Sequence, residues 1–200
     1  ASIGTVMLNV NGAVYGDAAV AAMSVVGKVF MLILSVLIGF GQGYQPVVGF
    51  NYGAGCYQRV KQSFTFTAVV SFVMMGLLAV AGFLFAPQVI QLFTKAVTQV
   101  LEIGTYAMRA QCLALFIQPL GVISNMTFQS IGKPAEATFL SGCRQGVFFL
   151  PLIWILPQFW QLRGVQLTQP LADVLTFIVC FPFLIRFFKE LNQKIKAQKA

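Results

Sequence analysis

Long stretches without a single charged residue constrain this chain most strongly, and the one from Gln62 to Thr94 is the clearest. A transmembrane helix needs about 20 largely apolar residues, so this stretch alone can hold one. Across the whole chain 58% of residues are hydrophobic and 9% are charged, whereas a soluble domain carries about a quarter charged residues. So little charge cannot cover a water-facing surface. The sequence therefore predicts that lipid surrounds much of the chain.

The apolar stretches favour helices over barrel strands. Residues 72–80 form a continuous apolar run, whereas barrel strands alternate polar and apolar residues over about ten positions. A helix also satisfies its own backbone hydrogen bonds in lipid. We therefore expect an all-α, polytopic transmembrane bundle over 1–185, followed by a basic cytoplasmic tail at 186–200. The expected spans are 1–15 (partial), 18–50, 63–86, 103–131, 136–162 and 165–185.

Lysine and arginine are distributed unevenly between the two ends of these spans. When alternate loops are placed on one side, that side holds nine of them and the other holds Lys95 and Arg163. The positive-inside rule then predicts a multi-pass protein of the inner (plasma) membrane with a cytoplasmic C-terminus. We expect the basic tail to lie on anionic lipid rather than on nucleic acid. The nine are Arg59, Lys61, Lys133, Arg144, Arg186, Lys189, Lys194, Lys196 and Lys199.

The composition also excludes several kinds of catalytic and metal site. The chain has no histidine, and its four cysteines form no CxxC pair, so histidine catalysis, zinc-finger sites and thioredoxin-type sites are ruled out. Acidic residues are scattered and form no evident pair. We therefore expect no enzyme activity, no metal and no cofactor beyond a coupling ion.

A glycine-rich segment from Ile38 to Gly55 stands out. Small residues let membrane helices pack closely, and a proline inside a helix removes a hydrogen bond and favours a break. Amides beside such a break favour a polar cavity, although a packed helix hairpin without ligand contact is the alternative. The expected break and packing residues are Gly43, Pro46, Gly53 and Gly55, and the expected pathway residues are Gln42, Gln45 and Asn51.

Lys28 and Asp173 are the charged residues expected nearest to the middle of their spans. Lys28 lies about 16 Å beyond Asp17, and Asp173 about 15 Å beyond Arg163, at 1.5 Å per residue. A charge at this depth costs roughly 2.5–3.5 kcal/mol, which a Lys28–Asp173 pair or water in a cavity would reduce. We expect one or both to face the interior as candidates for ion coupling. A purely structural ion pair is the alternative.

The span 103–131 carries a polar face. Asn125 and Gln129 follow Gln118 by seven and eleven positions, which places all three on one side of a helix. Such a face indicates either a cavity lining or a seam between helices. We take the three as further candidates for the substrate or ion pathway.

Six motifs follow one another along the chain. They are Gly43–Pro46, Asn51–Gly55 with Arg59 and Lys61, Phe85–Pro87 with Leu92 and Phe93, Phe128–Pro134, Cys143–Gln145 with Pro151, and Gln169–Asp173. In order and spacing this set resembles the motifs of multidrug and toxic compound extrusion (MATE) transporters.

The chain departs from one pattern of that family. Some of its sodium-coupled members carry acids on the seventh and tenth helices, whereas residues 111–132 contain none and the seventh-helix segment offers only Asn9 and Asn11. This departure puts sodium coordination here in doubt.

This resemblance implies two six-helix lobes in an inverted V around a cavity that opens to one side at a time. It implies secondary active efflux of cationic drugs in exchange for protons or sodium ions. On this correspondence the chain is the C-terminal lobe with a truncated first helix. Its expected partners are organic cations, membrane lipid and the missing N-terminal lobe. The alternatives are a lipid-linked oligosaccharide flippase, or an inactive membrane fragment.

Overall fold

The structure is a computed structural model that describes residues 2–93 and 98–198, and the side chains of residues 2–5, 8, 9 and 145 are not described. Lys95 and Lys199, which entered the charge comparison, lie outside the described residues, as do the side chains of Asn9 and Gln145. Every regular element in the described ranges is helical, so the predicted all-α fold is confirmed. The elements are α1 (Ser2–Ala13), α2 (Asp17–Gly53), α3 (Tyr57–Leu84), α4 (Ala86–Phe93), α5 (Thr98–Ala114), α6 (Gln118–Ser130), α7 (Pro134–Gly142), a π-helical segment (Cys143–Phe148) and α8 (Phe149–Ala197).

Several of these helices have the length and apolar character of membrane spans. Within the described ranges, Asp17–Gly53, Tyr57–Leu84 and the helical stretch Pro134–Ala197, which is divided at Gln161, are long and apolar enough to cross a bilayer. Helices α5 and α6 are bent by 55° relative to each other, and the number of candidate spans rises to four if the two are counted as one span. The bend lies immediately before Pro119, at the start of α6. It follows from the missing N–H of proline, which cannot continue the hydrogen-bond ladder.

Helix α2 runs through Pro46 without interruption and ends at Gly53. The predicted helix break at Pro46 is therefore wrong. Buried Tyr44 and Val48 hold this part of the helix against the bundle, and tertiary packing offsets the hydrogen bond lost at proline. The chain turns instead at Gly55, where φ is +73° and the N–H of Cys56 bonds to the carbonyl of Asn51 at 2.8 Å. This is the left-handed C-terminal turn that glycine favours.

Close packing between α2 and α6 uses other glycines than those expected. A Cβ at Gly41 would lie 2.1 Å from the sulfur of Met126, and one at Gly49 would lie 3.3 Å from the carbonyl oxygen of Ser130. Gly43 and Gly53 have nothing within 4 Å of that position, so neither is in close contact with another described part of this chain. The spacing of small residues was informative, but it did not reveal which face of α2 meets α6.

Helix α8 contains a sharp reversal at Gln161, where φ is 48° and ψ is −130°. Leu156 and Gly164 would lie about 12 Å apart in a straight helix, yet a Cβ at Gly164 would sit 2.3 Å from the Leu156 carbonyl oxygen. The chain therefore folds back at this point, and the second half of α8 runs beside the first. Only glycine fits against the opposing backbone at position 164.

The end of α8 packs against the α2–α3 and α6–α7 turns. The ammonium nitrogen of Lys194 donates to the Tyr52 hydroxyl at 2.8 Å and lies over the rings of Tyr52 and Tyr57 at 4.9 and 5.2 Å. Glu190 accepts from Lys133 at 2.6 Å and pairs with Lys194 at 3.2 Å. The hydrogen bond from Lys133 is the main reason why the pKa of Glu190 lies below its usual range. The expected tail is thus helical to Ala197, and its side chains bond to residues at the α2–α3 and α6–α7 turns.

Candidate functional site

A cavity of about 280 Å³ with a mixed polar and apolar lining lies between α2, α6, α7, the π-helical segment and the second half of α8. Apolar side chains of α2 and α6 form part of its wall, and amide, hydroxyl and charged groups form the rest. Its position inside a bundle of lipid-compatible helices makes it the principal candidate site among the described residues. The polar lining consists of Gln118, Asn125, Gln129, Ser141, Arg144, Asp173 and Thr176.

Asp173 is the buried centre of this lining. Its Oδ1 accepts a hydrogen bond from Nε of Arg144 at 2.8 Å, and its Oδ2 accepts one from Nε2 of Gln118 at 3.2 Å. The Asp173 side chain is 2% exposed and the Arg144 side chain 22%. The carboxylate is thereby compensated from both of its oxygens, as a buried charge requires.

The expected Lys28–Asp173 pair is wrong. Lys28 lies on an exposed face of α2, and it forms no ion pair with another described residue. Asp173 pairs instead with Arg144, which we had grouped with the loop cations from the sequence. Equal depth along two helices did not imply that the helices are neighbours, whereas the long guanidinium side chain of Arg144 reaches Asp173 from an adjacent segment.

Two polar groups beside Asp173 have no second hydrogen-bond partner among the described residues. The amide nitrogen of Gln118 must face Asp173, because only that end of the amide can donate to a carboxylate. Its oxygen is then left buried with no hydrogen-bond partner in the described parts of the chain. The guanidinium of Arg144 is likewise engaged through Nε alone, so its two terminal nitrogens are free of hydrogen bonds to described residues.

A second line of hydrogen bonds joins three residues of this lining to Gln45, which does not itself line the cavity. Gln45 on α2 donates to Gln129 on α6 at 3.2 Å, Gln129 donates to Asn125 at 3.1 Å, and Asn125 donates to Ser141 on α7 at 2.6 Å. The predicted shared face of Gln118, Asn125 and Gln129 therefore lines a cavity in the structure. Their role in a pathway stays a prediction.

The remaining pathway candidates lie elsewhere. Gln42 is exposed on α2, and Asn51 donates to the carbonyl of Val47 in its own helix at 2.8 Å. Neither of these two side chains nor Lys28 lines the cavity. In the described parts of the chain no three acidic or thiol side chains are grouped to hold a metal ion.

Sequence reasoning missed Arg144, Ser141 and Thr176 as cavity residues. Arg144 stands in the Cys143–Gln145 motif, so that motif was a usable signal, but its charge was read as a loop cation. The π-helical segment Cys143–Phe148 changes the direction in which its side chains point, and no residue pattern in the sequence predicts this segment. Such segments are rare and occur frequently at functional sites.

Comparison with known proteins places the chain among transporters. The family model MatE matches residues 2–155. The multidrug export protein MepA of Staphylococcus haemolyticus is 22% identical over 179 residues, which cover 88% of this chain and 38% of that protein. A protein named FAD transporter from Shewanella oneidensis is 26% identical over 166 residues, which cover 82% of this chain and 36% of that protein. The chain thus spans under two fifths of these curated relatives.

Solved structures share the fold. An outward-facing multidrug resistance MATE family transporter of the MOP superfamily aligns with a TM-score of 0.88 and 23% identity, covering 96% of this chain and 44% of the other. A MOP superfamily transporter from Pyrococcus furiosus aligns with a TM-score of 0.87, also at 23% identity, covering 96% and 43%. The predicted family and helical fold are both confirmed, and the chain is a member of the MatE (MATE) family of integral membrane transport proteins.

Proposed function

We propose that this chain forms the C-terminal lobe of a secondary transporter that exports small, positively charged organic molecules in exchange for protons or sodium ions. The observation that carries the proposal is the cavity between these helices, whose lining includes the buried Asp173 paired with Arg144. A polar cavity in a helical membrane bundle costs stability, and such features mark substrate and ion pathways. The names of the MepA relatives support an export function.

The other lobe would complete the transporter. Several predicted residues lie on exposed positions of α2, where the second lobe of an inverted V has access to them. They are Lys28, Gln42, Gly43, Pro46 and Gly53. Movement of one lobe against the other would open the central space to each side of the membrane in turn, which is alternating access. In this proposal the C-terminus lies in the cytoplasm of a cell whose inner membrane contains the protein.

Asp173 is the proposed coupling group, since it is the buried acid of the cavity. A lipid-linked oligosaccharide flippase would need a basic cavity for phosphate-bearing cargo. The described lining carries one arginine, and that arginine is paired with Asp173. Drug export therefore fits the lining better than phosphate-linked cargo.

Ethidium efflux from cells that express the protein and lack their own exporters tests the proposal, with proton and sodium gradients collapsed separately. We expect efflux that stops when one of the two gradients is removed. Gln129→Leu should slow efflux, because it removes the hydrogen bonds that Gln129 makes with Gln45 and Asn125. Gln58→Leu, on an exposed position outside the cavity, is the matched control. Efflux that is independent of both gradients would overturn the proposal.

A further inference from the structure

Two arginines lie on the exposed surface of the bundle without an acidic partner. The guanidinium carbon of Arg109 on α5 lies 5.3 Å from the centroid of the Phe83 ring. That of Arg163 on α8 lies 5.8 Å from the centroid of the Tyr106 ring. All five acidic residues of the chain belong to the described ranges, and neither arginine forms an ion pair with any of them.

The two guanidinium groups flank one exposed strip of α5, which consists of Glu102, Tyr106 and Arg109. These three residues are four and three positions apart, so they are neighbours on one face of the helix. Each arginine lies over an aromatic ring, and the cation–π contact holds it in place. A ring uses the face of the guanidinium, so the N–H donors along the edge of each group keep their capacity for an anion.

The strip lies at the depth where lipid headgroups are expected. Phe83 is next to the last residue of α3, whose 28 residues extend over about 42 Å at 1.5 Å per residue. This length matches a bilayer with its headgroup regions, because the hydrocarbon core alone is only about 30 Å thick. Farther from this end, Leu77, Val80 and Leu113 are exposed and apolar, which suits contact with acyl chains.

We propose that this strip binds the headgroup phosphate of an anionic phospholipid, with Arg109 and Arg163 as the groups that hold it. Guanidinium and phosphate form strong, charge-assisted hydrogen bonds. Glu102 is exposed on the same strip, and it forms no ion pair with a described residue. The three charged side chains sum to one positive charge, so a lipid with a single phosphodiester and no other charge neutralises the strip.

The site is separate from the basic helix end around Lys194, which lies at the opposite end of the bundle. It is also independent of the proposed export function, because the strip faces outward and none of its residues lines the cavity. Binding of the lipid would therefore persist in a chain that transports nothing.

Tryptophan quenching tests the proposal. The two tryptophans of the chain, Trp154 and Trp160, lie nine and three positions before Arg163, and both are exposed. The purified full chain is reconstituted into phosphatidylcholine vesicles that contain equal fractions of either dibrominated phosphatidylglycerol or dibrominated phosphatidylcholine. We expect stronger quenching by the brominated phosphatidylglycerol, with a preference of roughly fivefold for each arginine.

Variants assign the preference to this strip. Arg109→Gln combined with Arg163→Gln should abolish it, and each single substitution should reduce it. Arg186→Gln combined with Lys189→Gln is the matched control, because it removes two exposed cations near the other end of the bundle and should preserve the preference.

Three results would overturn the proposal. The first is equal quenching by the two brominated lipids in the parent chain, a measurement that needs no variant. The second is a preference that survives in the folded variant without both arginines. The third is loss of the preference on addition of inorganic phosphate at constant ionic strength, which would show that the strip takes free phosphate rather than a lipid headgroup.

Discussion

The hydroxyl groups of Tyr44 and Thr127 lie 2.9 Å apart and join α2 to α6 in the buried interior. Thr127 donates its own proton to the carbonyl of Ile123 at 2.7 Å, so the Tyr44 hydroxyl is the donor of the bond between them. Helices in a membrane lack a hydrophobic driving force for association, and polar contacts of this kind contribute to it.

Tyr44→Phe should lower the free energy of unfolding by about 1 kcal/mol, because one hydrogen bond is lost and Thr127 keeps its other partner. Thermal unfolding in detergent measures the change. Tyr106→Phe is the matched control, since Tyr106 is 43% exposed. Equal stability of the two variants would contradict the prediction.

Gly164→Ala should be far more disruptive than Gly43→Ala. A Cβ at position 164 meets the Leu156 carbonyl at 2.3 Å and the Pro157 nitrogen at 2.6 Å, and backbone atoms have little room to move. Overpacking of this kind costs about 1–3 kcal/mol or more. At position 43 the added methyl group meets nothing within 4 Å, so that variant should match or exceed the parent in stability. Unfolding midpoints in the same detergent decide the comparison.

Single neutralisation of the cavity pair should destabilise the chain more than double neutralisation. Arg144→Gln leaves the more deeply buried charge of Asp173 unpaired, so its cost should exceed that of Asp173→Asn. Breaking a buried pair costs about 3–5 kcal/mol. Combining the two substitutions should recover part of that loss, and a double-mutant cycle of unfolding free energies measures the coupling. Strictly additive effects would exclude the coupling.

Lys194→Gln should loosen the end of α8. The substitution removes the ammonium group that lies over Tyr52 and Tyr57 and pairs with Glu190, and cation–π contacts at exposed sites contribute roughly 0.5–1 kcal/mol each. We expect faster trypsin cleavage after Lys189. Lys196→Gln, exposed on the same helix, should leave the rate unchanged. Similar rates in both variants would refute the role of Lys194.

The attachment of the same helix end should weaken in acid. Because the pKa of Glu190 is lowered in the folded chain, its contribution is complete above the usual glutamate range and is lost as the pH falls through the lowered value. Hydrogen exchange of residues 190–197 across this range should show the weakening, and Glu190→Gln should remove that pH dependence. An unchanged profile in the variant would count against Glu190.

Much of the helical order was predictable, because uncharged apolar runs admit few structures other than helices. The shared polar face of Gln118, Asn125 and Gln129 was predictable as well, since seven- and eleven-residue spacing depends only on helical geometry. The partner of Asp173 was not. Depth along a helix can be counted from sequence, but the neighbour across the bundle depends on packing, and the π-helical segment shifts the phase at Arg144. The tie between Lys194 and Tyr52 joins residues 142 positions apart, with no local signal at either end.

The π-helical segment makes the chain sensitive to a change that composition would hardly register. A π turn closes its hydrogen bonds from residue i to i+5, so it holds one residue more than an α turn. Removing one residue between Cys143 and Phe148 would let the backbone wind as a regular α-helix. The helices on the two sides of the segment would keep nearly their present directions, while the side chains within it, Arg144 among them, would change direction relative to Asp173. The length of this segment, more than its residue types, therefore determines which side chain meets the acid.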